Sequence, residues 1–217
     1  MKEQFWQNRW ESGRIAFHEG TPNEFLEMHL GDLALSPGSH VFVPLCGKAY
    51  DLDWLLEQGH RVTGIEFNRD AVEEVFERRS LFPVVKQHSG LRRLSSGQLT
   101  LWQGDFFSLQ ATDLGDVDAI YDRAALVALP DPLRKDYAIR LSELTKSAPQ
   151  LLISFSYDQS QTEGPPFSVP EQAIRQLYGS TYDIDLLSSE EITGPLADRC
   201  VGQEQTWKLI PKIRQGA

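Results

Sequence analysis

Four side chains stand where strand-like stretches end and could do chemistry there. Glu66 closes "RVTGIE", Asp105 follows "LTLWQG", and Asp122 and Arg123 close "DVDAIYDR". Ahead of them, the turn "PLCGK" after "HVFV" carries a single glycine, Gly47. Glycine there removes a side chain where backbone must approach a ligand. An acidic residue roughly 20 positions beyond such a turn is placed to reach ribose hydroxyls. Glu66 stands at that offset, and its two acceptor oxygens suit a diol. Asp105 can accept from an adenine amino group, with Phe106 against the ring face. The other reading of Asp105 is a cap on the turn that follows it.

The turn also limits the ligand. A dinucleotide needs several glycines so that its pyrophosphate can lie on a helix N-terminus. Here one glycine is followed by a helix opening with Asp51 and Asp53. Carboxylates suit the positive helix end themselves and repel a pyrophosphate. The expected ligand is a nucleoside without phosphates, and S-adenosylmethionine fits that description. A purely structural turn with a surface Glu66 is the alternative.

The elements that position these groups alternate. Lys2–Trp10 reads as a helix with Trp6 and Trp10 one turn apart. Glu24–Leu30 reads as a second short helix. Strands are expected at Val41–Val43, Arg61–Phe67, Gln98–Gln103, Asp116–Arg123 and Gln150–Tyr157, and helices at Asp51–Gln58, Asp70–Arg79 and Pro132–Lys146. "SVPE", Ser168–Glu171, reads as a capping box opening a helix through Leu177. "TYDIDLLSS" and "EQTWKLIPK" read as two late strands. Repeated β-α units with a late β-β pair imply a mostly parallel α/β sheet, covered on both faces, with an antiparallel edge.

The chain has 217 residues and a formal net charge of −10, with a pI near 5.0 and a mean hydropathy of −0.35. That length suits one α/β domain, taken as residues 1–217, with residues 1–35 as a helical cover over the site. The acidic balance argues against nucleic acid and anionic membranes as partners. No apolar run approaches a membrane span and no signal peptide opens the sequence. Two cysteines without a framework fit a reducing cytoplasm. No CxxC or paired histidines mark a metal site. No apolar stripe calls for a dimer, so a monomer is expected.

The segments "FWQNRW", "VPLCGK" with "GIEF", "YDRAALVALP" and "SYDQSQTEGPPFSV" occur in this order, and with them the chain resembles bacterial thiopurine S-methyltransferases over essentially its whole length. The resemblance implies the class I methyltransferase fold, a Rossmann-like seven-stranded sheet of order 3-2-1-4-5-7-6. It implies S-adenosylmethionine as donor and a thiopurine or other small aromatic thiol as acceptor. Selenium or tellurium oxyanions and other soft nucleophiles are the alternative acceptors. The family's donor contacts fall on Trp10, Leu45, Glu66 and Arg123.

Methyl transfer from a sulfonium is an in-line displacement, served by positioning and by exclusion of water. A thiopurine thiol is already substantially ionised near neutral pH, so no triad is expected. Arg123 is the group expected to hold a thiolate, a purine nitrogen or the donor's carboxylate, with Asp122 orienting it or accepting a proton through water. A surface ion pair is the plain alternative. Trp6 and Trp10, with Phe17 and His18, could close over the donor, Phe17 and His18 towards the acceptor. Phe167, after the paired prolines of "GPPF", either walls the acceptor or simply leads into a helix. Cys46 reads as a small buried residue rather than a nucleophile. Two other functions stay open on the residues: a nicotinamide oxidoreductase, and a non-catalytic nucleoside sensor.

Overall fold

Along "HVFV" the side chains alternate: Val41 and Val43 pack on one side of the sheet and Phe42 on the other, all of them buried. A strand buried on both faces belongs in the middle of a parallel sheet. The computed structural model, which describes residues 3–13 and 18–213, places it there.

The strands are β1 (His40–Val43), β2 (Arg61–Glu66), β3 (Val84–His88), β4 (Leu91–Ser96), β5 (Leu99–Gln103), β6 (Ala119–Arg123), β7 (Gln150–Tyr157), β8 (Tyr182–Glu191) and β9 (Gly202–Pro211). The α-helices are α1 (Glu3–Glu11), α2 (Glu24–His29), α3 (Asp51–Glu57), α4 (Arg69–Arg78), α5 (Ala111–Leu114), α6 (Asp131–Leu144), α7 (Glu171–Tyr178) and α8 (Gly194–Ala197). One sheet runs in the order β3-β4-β5-β2-β1-β6-β7-β9-β8. Strands β5, β2, β1, β6 and β7 are parallel neighbours, while β3–β4, β4–β5, β7–β9 and β9–β8 pair antiparallel.

Two apolar layers cover the sheet. Helices α2, α3 and α4 bring Phe25, Leu26, Leu52, Leu55, Val72 and Val75 against Val41, Val43 and Leu101. On the other face α6 and α7 bring Tyr137, Leu141, Ile174 and Tyr178 against Phe42, Ile120, Leu152 and Trp207.

The sheet corrects the expectation of seven strands: among the described residues there are nine. The additions are the β3–β4 hairpin, which extends the β5 side of the sheet. Its turn, Ser89–Gly90, takes positive φ at both positions (50° and 83°) between the paired His88 and Leu91, as a two-residue I′ hairpin requires. Every residue of β3 is exposed, so it carries no apolar pattern to announce it.

The capping box at Ser168 does not form. Pro170 precedes α7 with no side-chain cap. The Ser168 hydroxyl instead donates to the Tyr157 carbonyl at 2.7 Å and accepts from the Tyr157 amide at 3.0 Å. Serine here ties the loop after β7 to the end of that strand. Among the described residues, no helix is long and apolar enough to cross a membrane, and no three His, Cys, Asp or Glu side chains gather to hold a metal.

Candidate active site

A cavity of about 930 Å³ opens beyond the carboxyl ends of β1, β2, β6 and β7, where ligands bind in parallel α/β sheets. That volume suits a drug-sized molecule or larger.

Two turns at its floor hold non-glycine residues in the left-handed region: Leu45 after β1 (φ 45°) and Ala124 after β6 (φ 64°). Both line the cavity. Such backbone costs on the order of 1–2 kcal/mol per residue and persists where the surroundings fix it. After β1 the fixing is visible. Arg78 of α4 donates to the carbonyls of Lys48 and Ala49 at 2.5 and 2.8 Å and pairs with Asp53. Its guanidinium lies 4.4 Å from the centre of the Tyr50 ring. Arg79 also pairs with Asp53, at 2.7 Å.

The carboxylates that open α3 are therefore spent inside the fold. Asp53 pairs with two arginines, Arg78 and Arg79. Asp51 is buried, accepting from the Asn23 amide at 2.7 Å and the Tyr121 hydroxyl at 3.1 Å. Burial raises its pKa, with Arg123 and these hydrogen bonds opposing. Neither lines the cavity.

Glu66 does line it, from the tip of β2. One carboxylate oxygen accepts from the Gly47 amide at 2.9 Å and the other from the Asn68 amide at 2.8 Å. Burial raises its pKa and the amide bonds from Asn68, Gly47 and Phe67 work against that. Each oxygen keeps a second lone pair for a hydroxyl donor. The amide of Gly47 is occupied by this carboxylate and is not offered to a phosphate. Cys46 is buried beside it; burial first, then the Glu66 charge, push its thiol pKa well up.

Register fixes the other wall. Arg123 pairs with Ile153 across β6–β7, and Phe155 pairs with Glu204 across β7–β9. Paired residues share a face, as do residues two apart on one strand. Arg123, Ile153, Phe155 and Glu204 thus form one contiguous floor, and all four line the cavity. Arg123 forms an ion pair with Glu19 from the loop ahead of α2. Burial works against the guanidinium charge; Tyr121, Glu19, Asp51 and Glu204 outweigh it and raise its pKa. The roof comes from Trp6, Arg9 and Trp10 of α1 and from Pro195, Leu196 and Arg199 at α8.

The structure sorts the expected site residues. Trp10, Leu45, Gly47, Glu66, Asp105, Arg123 and His18 meet at this cavity. His18 stacks on Tyr50, with ring centres 5.8 Å apart and planes 19° apart. Burial, then Lys48 and Arg78, lower its pKa and favour the neutral ring. Asp105 accepts from the Phe107 amide at 3.2 Å, so it caps its turn while facing the cavity.

Phe106 goes elsewhere: it is buried in the core, 5.0 Å from the ring of Tyr137. Asp122, one residue before Arg123, points to the opposite face of the sheet. It is wholly buried, accepting from the Tyr137 hydroxyl at 2.7 Å and the Leu126 amide at 3.1 Å. Burial pushes its pKa up to about 6, against the pull of those bonds. Phe167 turns from the cavity to pack over Gly164, near Arg134; Pro165 and Pro166 line the cavity instead. The Tyr157 hydroxyl, donating to the Pro166 carbonyl at 2.6 Å, holds them there. Phe17 lies outside the described residues. Glu19, Lys48, Arg199 and Glu204 line the cavity without having been expected.

Comparison with known proteins identifies the family. The family described as Thiopurine S-methyltransferase (TPMT) matches residues 1–210. Thiopurine S-methyltransferase of Xanthobacter autotrophicus is 46% identical over 210 residues, covering 96% of this chain and 99% of the relative. That of Teredinibacter turnerae is 45% identical over 213 residues, covering 98% and 99%. Among solved structures, an S-adenosylmethionine-dependent methyltransferase from Anabaena variabilis superposes with a TM-score of 0.65 at 13% identity, covering 97% and 95%. The 1,6-didemethyltoxoflavin-N1-methyltransferase of Burkholderia thailandensis, holding S-adenosylhomocysteine, gives 0.60 at 15% identity, covering 97% and 87%. With relatives this similar along nearly the whole chain, it belongs to the thiopurine S-methyltransferase family and is an S-adenosylmethionine-dependent methyltransferase.

Proposed function

We propose that this enzyme methylates the sulfur of thiopurines or related aromatic thiols. The observation that carries the proposal is the floor formed by Arg123, Ile153 and Phe155 at the tips of β6 and β7. It sets one fixed cation beside an apolar shelf, with Val127, Pro165 and Pro166 around it. A flat heterocycle rests on such a shelf, and its thiolate faces the guanidinium. The names of the curated relatives point to the same acceptor class.

The donor fits the other half. Glu66 receives the ribose hydroxyls, Leu45 and Gly47 let the backbone come close, and Asp105 accepts from the adenine amino group. Trp10 covers the donor and Arg123 meets its carboxylate. When bound, S-adenosylmethionine supplies a methyl group on a cationic sulfur and leaves as a neutral thioether that keeps the bonding pair. The chain's own contribution is alignment and dryness: the roof residues of α1 and α8 exclude water from a nucleophile held by Arg123.

The test is transfer of labelled methyl to thiopurines, aryl thiols, selenite, tellurite and halide. Thiopurines and aryl thiols are expected to be methylated with the highest kcat/KM. Transfer only to selenite or tellurite, with none to any thiol, rejects the proposal.

A further inference from the structure

We propose that Glu204 is the base that takes the proton from acceptors arriving as neutral thiols, a role that rests on the thiol-methylation reading above. Glu204 lies on the cavity floor, opposite Phe155 in the β7–β9 ladder, while Arg123 sits opposite Ile153 on the other side of β7. Two strand spacings across the sheet, roughly 10 Å, and two residues along it, roughly 7 Å, put their Cα atoms about 12 Å apart. Two long side chains can converge over that span on one sulfur. Any acceptor resting on Ile153 and Phe155 thus meets a cation from β6 and a carboxylate from β9.

The surroundings set the carboxyl's affinity for a proton. Burial pushes the Glu204 pKa up to about 7. Arg123 on β6 pulls it down; Glu19 from the loop before α2, Glu24 of α2 and Glu190 of β8 push it up. A base is most useful when its pKa lies near the working pH. Alkyl thiols, with a pKa near the ~8.5 of cysteine, are mostly protonated at neutrality and need one.

In the step, the S–H bond breaks and the proton passes to a Glu204 carboxylate oxygen. The bonding pair stays on sulfur, which becomes a thiolate facing Arg123. Neutral Glu204 returns the proton to water after the methylated product leaves. Glu204 thereby extends the acceptor range from thiols already ionised in solution to those that are not.

The experiment uses the protein saturated with S-adenosylhomocysteine and an aryl thiolate fully ionised at about pH 8. Calorimetry in two buffers of different ionisation heat counts protons. A second anion placed beside Glu204 makes it take up a proton, so binding to the wild type is expected to consume close to one. Glu204→Gln is expected to consume none while binding S-adenosylhomocysteine within about twofold of wild type. The wild-type uptake is also expected to fade below about pH 7, where Glu204 is already protonated, a measurement that needs no variant. In turnover, Glu204→Gln is expected to lose about 100-fold in kcat/KM on an alkyl thiol, at least ten times its loss on the ionised aryl thiol. No uptake by the wild type, equal uptake by the variant, or equal losses on both thiols overturns the assignment of Glu204. If the wild type neither binds nor methylates any thiol, the thiol reading itself falls.

Discussion

Glu66 and Gly47 hold each other: the carboxylate at the tip of β2 accepts the amide of the glycine that follows β1, at 2.9 Å. One side chain therefore shapes the turn and faces the cavity. With Asn68 donating to the second oxygen at 2.8 Å, both oxygens are needed as acceptors. Glu66→Gln puts an NH₂ against one of two amide donors and is no milder than Glu66→Ala. Both are expected to weaken S-adenosylhomocysteine binding by about 2–3 kcal/mol, ~30–150-fold. Calorimetric affinities equal to wild type would remove Glu66 from the donor site.

Arg123 is surrounded by the carboxylates of Glu19, Asp51 and Glu204. Arg123→Lys keeps the charge and loses the planar fork that meets two partners at once. Loss of one charge-assisted bond, about 1.5–3 kcal/mol, predicts a fall in kcat/KM of ~10–150-fold with thiols. A lysine variant with wild-type kinetics would show that only the charge matters.

Gly64, in the middle of β2, has no room for a methyl group. A Cβ there would lie 2.6 Å from the Cys46 sulfur and 2.8 Å from Leu101 Cδ2. Gly64→Ala is expected to cost about 1–3 kcal/mol through overpacking, lowering the Tm by a few degrees per kcal/mol. Adding Cys46→Ala removes the nearer atom and should restore part of the loss. An unchanged melting temperature for the single variant would mean the strand shifts without strain.

Asp122 makes stability depend on pH. Its folded pKa of about 6 lies above the 3.8 of a free aspartate, so the folded state holds the proton more tightly. The stabilisation is complete below the unfolded pKa and is lost as pH rises through about 6. Two units correspond to about 3 kcal/mol. The stability of the wild type relative to Asp122→Asn should fall by roughly that amount between about pH 4 and pH 7. Parallel denaturant-derived pH curves for the two proteins would contradict it.

Much of the proposed donor half was legible as a cluster because its residues are close in sequence. Gly47 and Glu66 sit in one β-α-β unit, and their spacing reports their meeting. The proposed acceptor half was less legible because it is assembled from distant segments. Glu204 occupies an alternating strand, on the side away from the buried Trp207 and Leu209, and reads there as a solvated face. What brings it to the cavity is its pairing with Phe155, which sequence alone does not give. Glu19 is hidden for the same reason: it sits in a loop and meets Arg123 only in the fold. Alternation in "AIYDR" places Asp122 and Arg123 on opposite faces, so the division of their roles was readable from strand period. Phe106 failed as an adenine partner because the turn capped by Asp105 sends its ring inward.

The cavity's floor and roof are anchored differently. Glu66, Gly47 and Arg123 are rooted in strands at the centre of the sheet, whereas Trp6, Trp10, Pro195 and Leu196 come from short helices above it. Residue changes overhead can reshape the entrance without disturbing the layers that keep the protein folded. Such a division leaves the mouth of the pocket free to vary while the strands that carry Glu66 and Arg123 stay fixed.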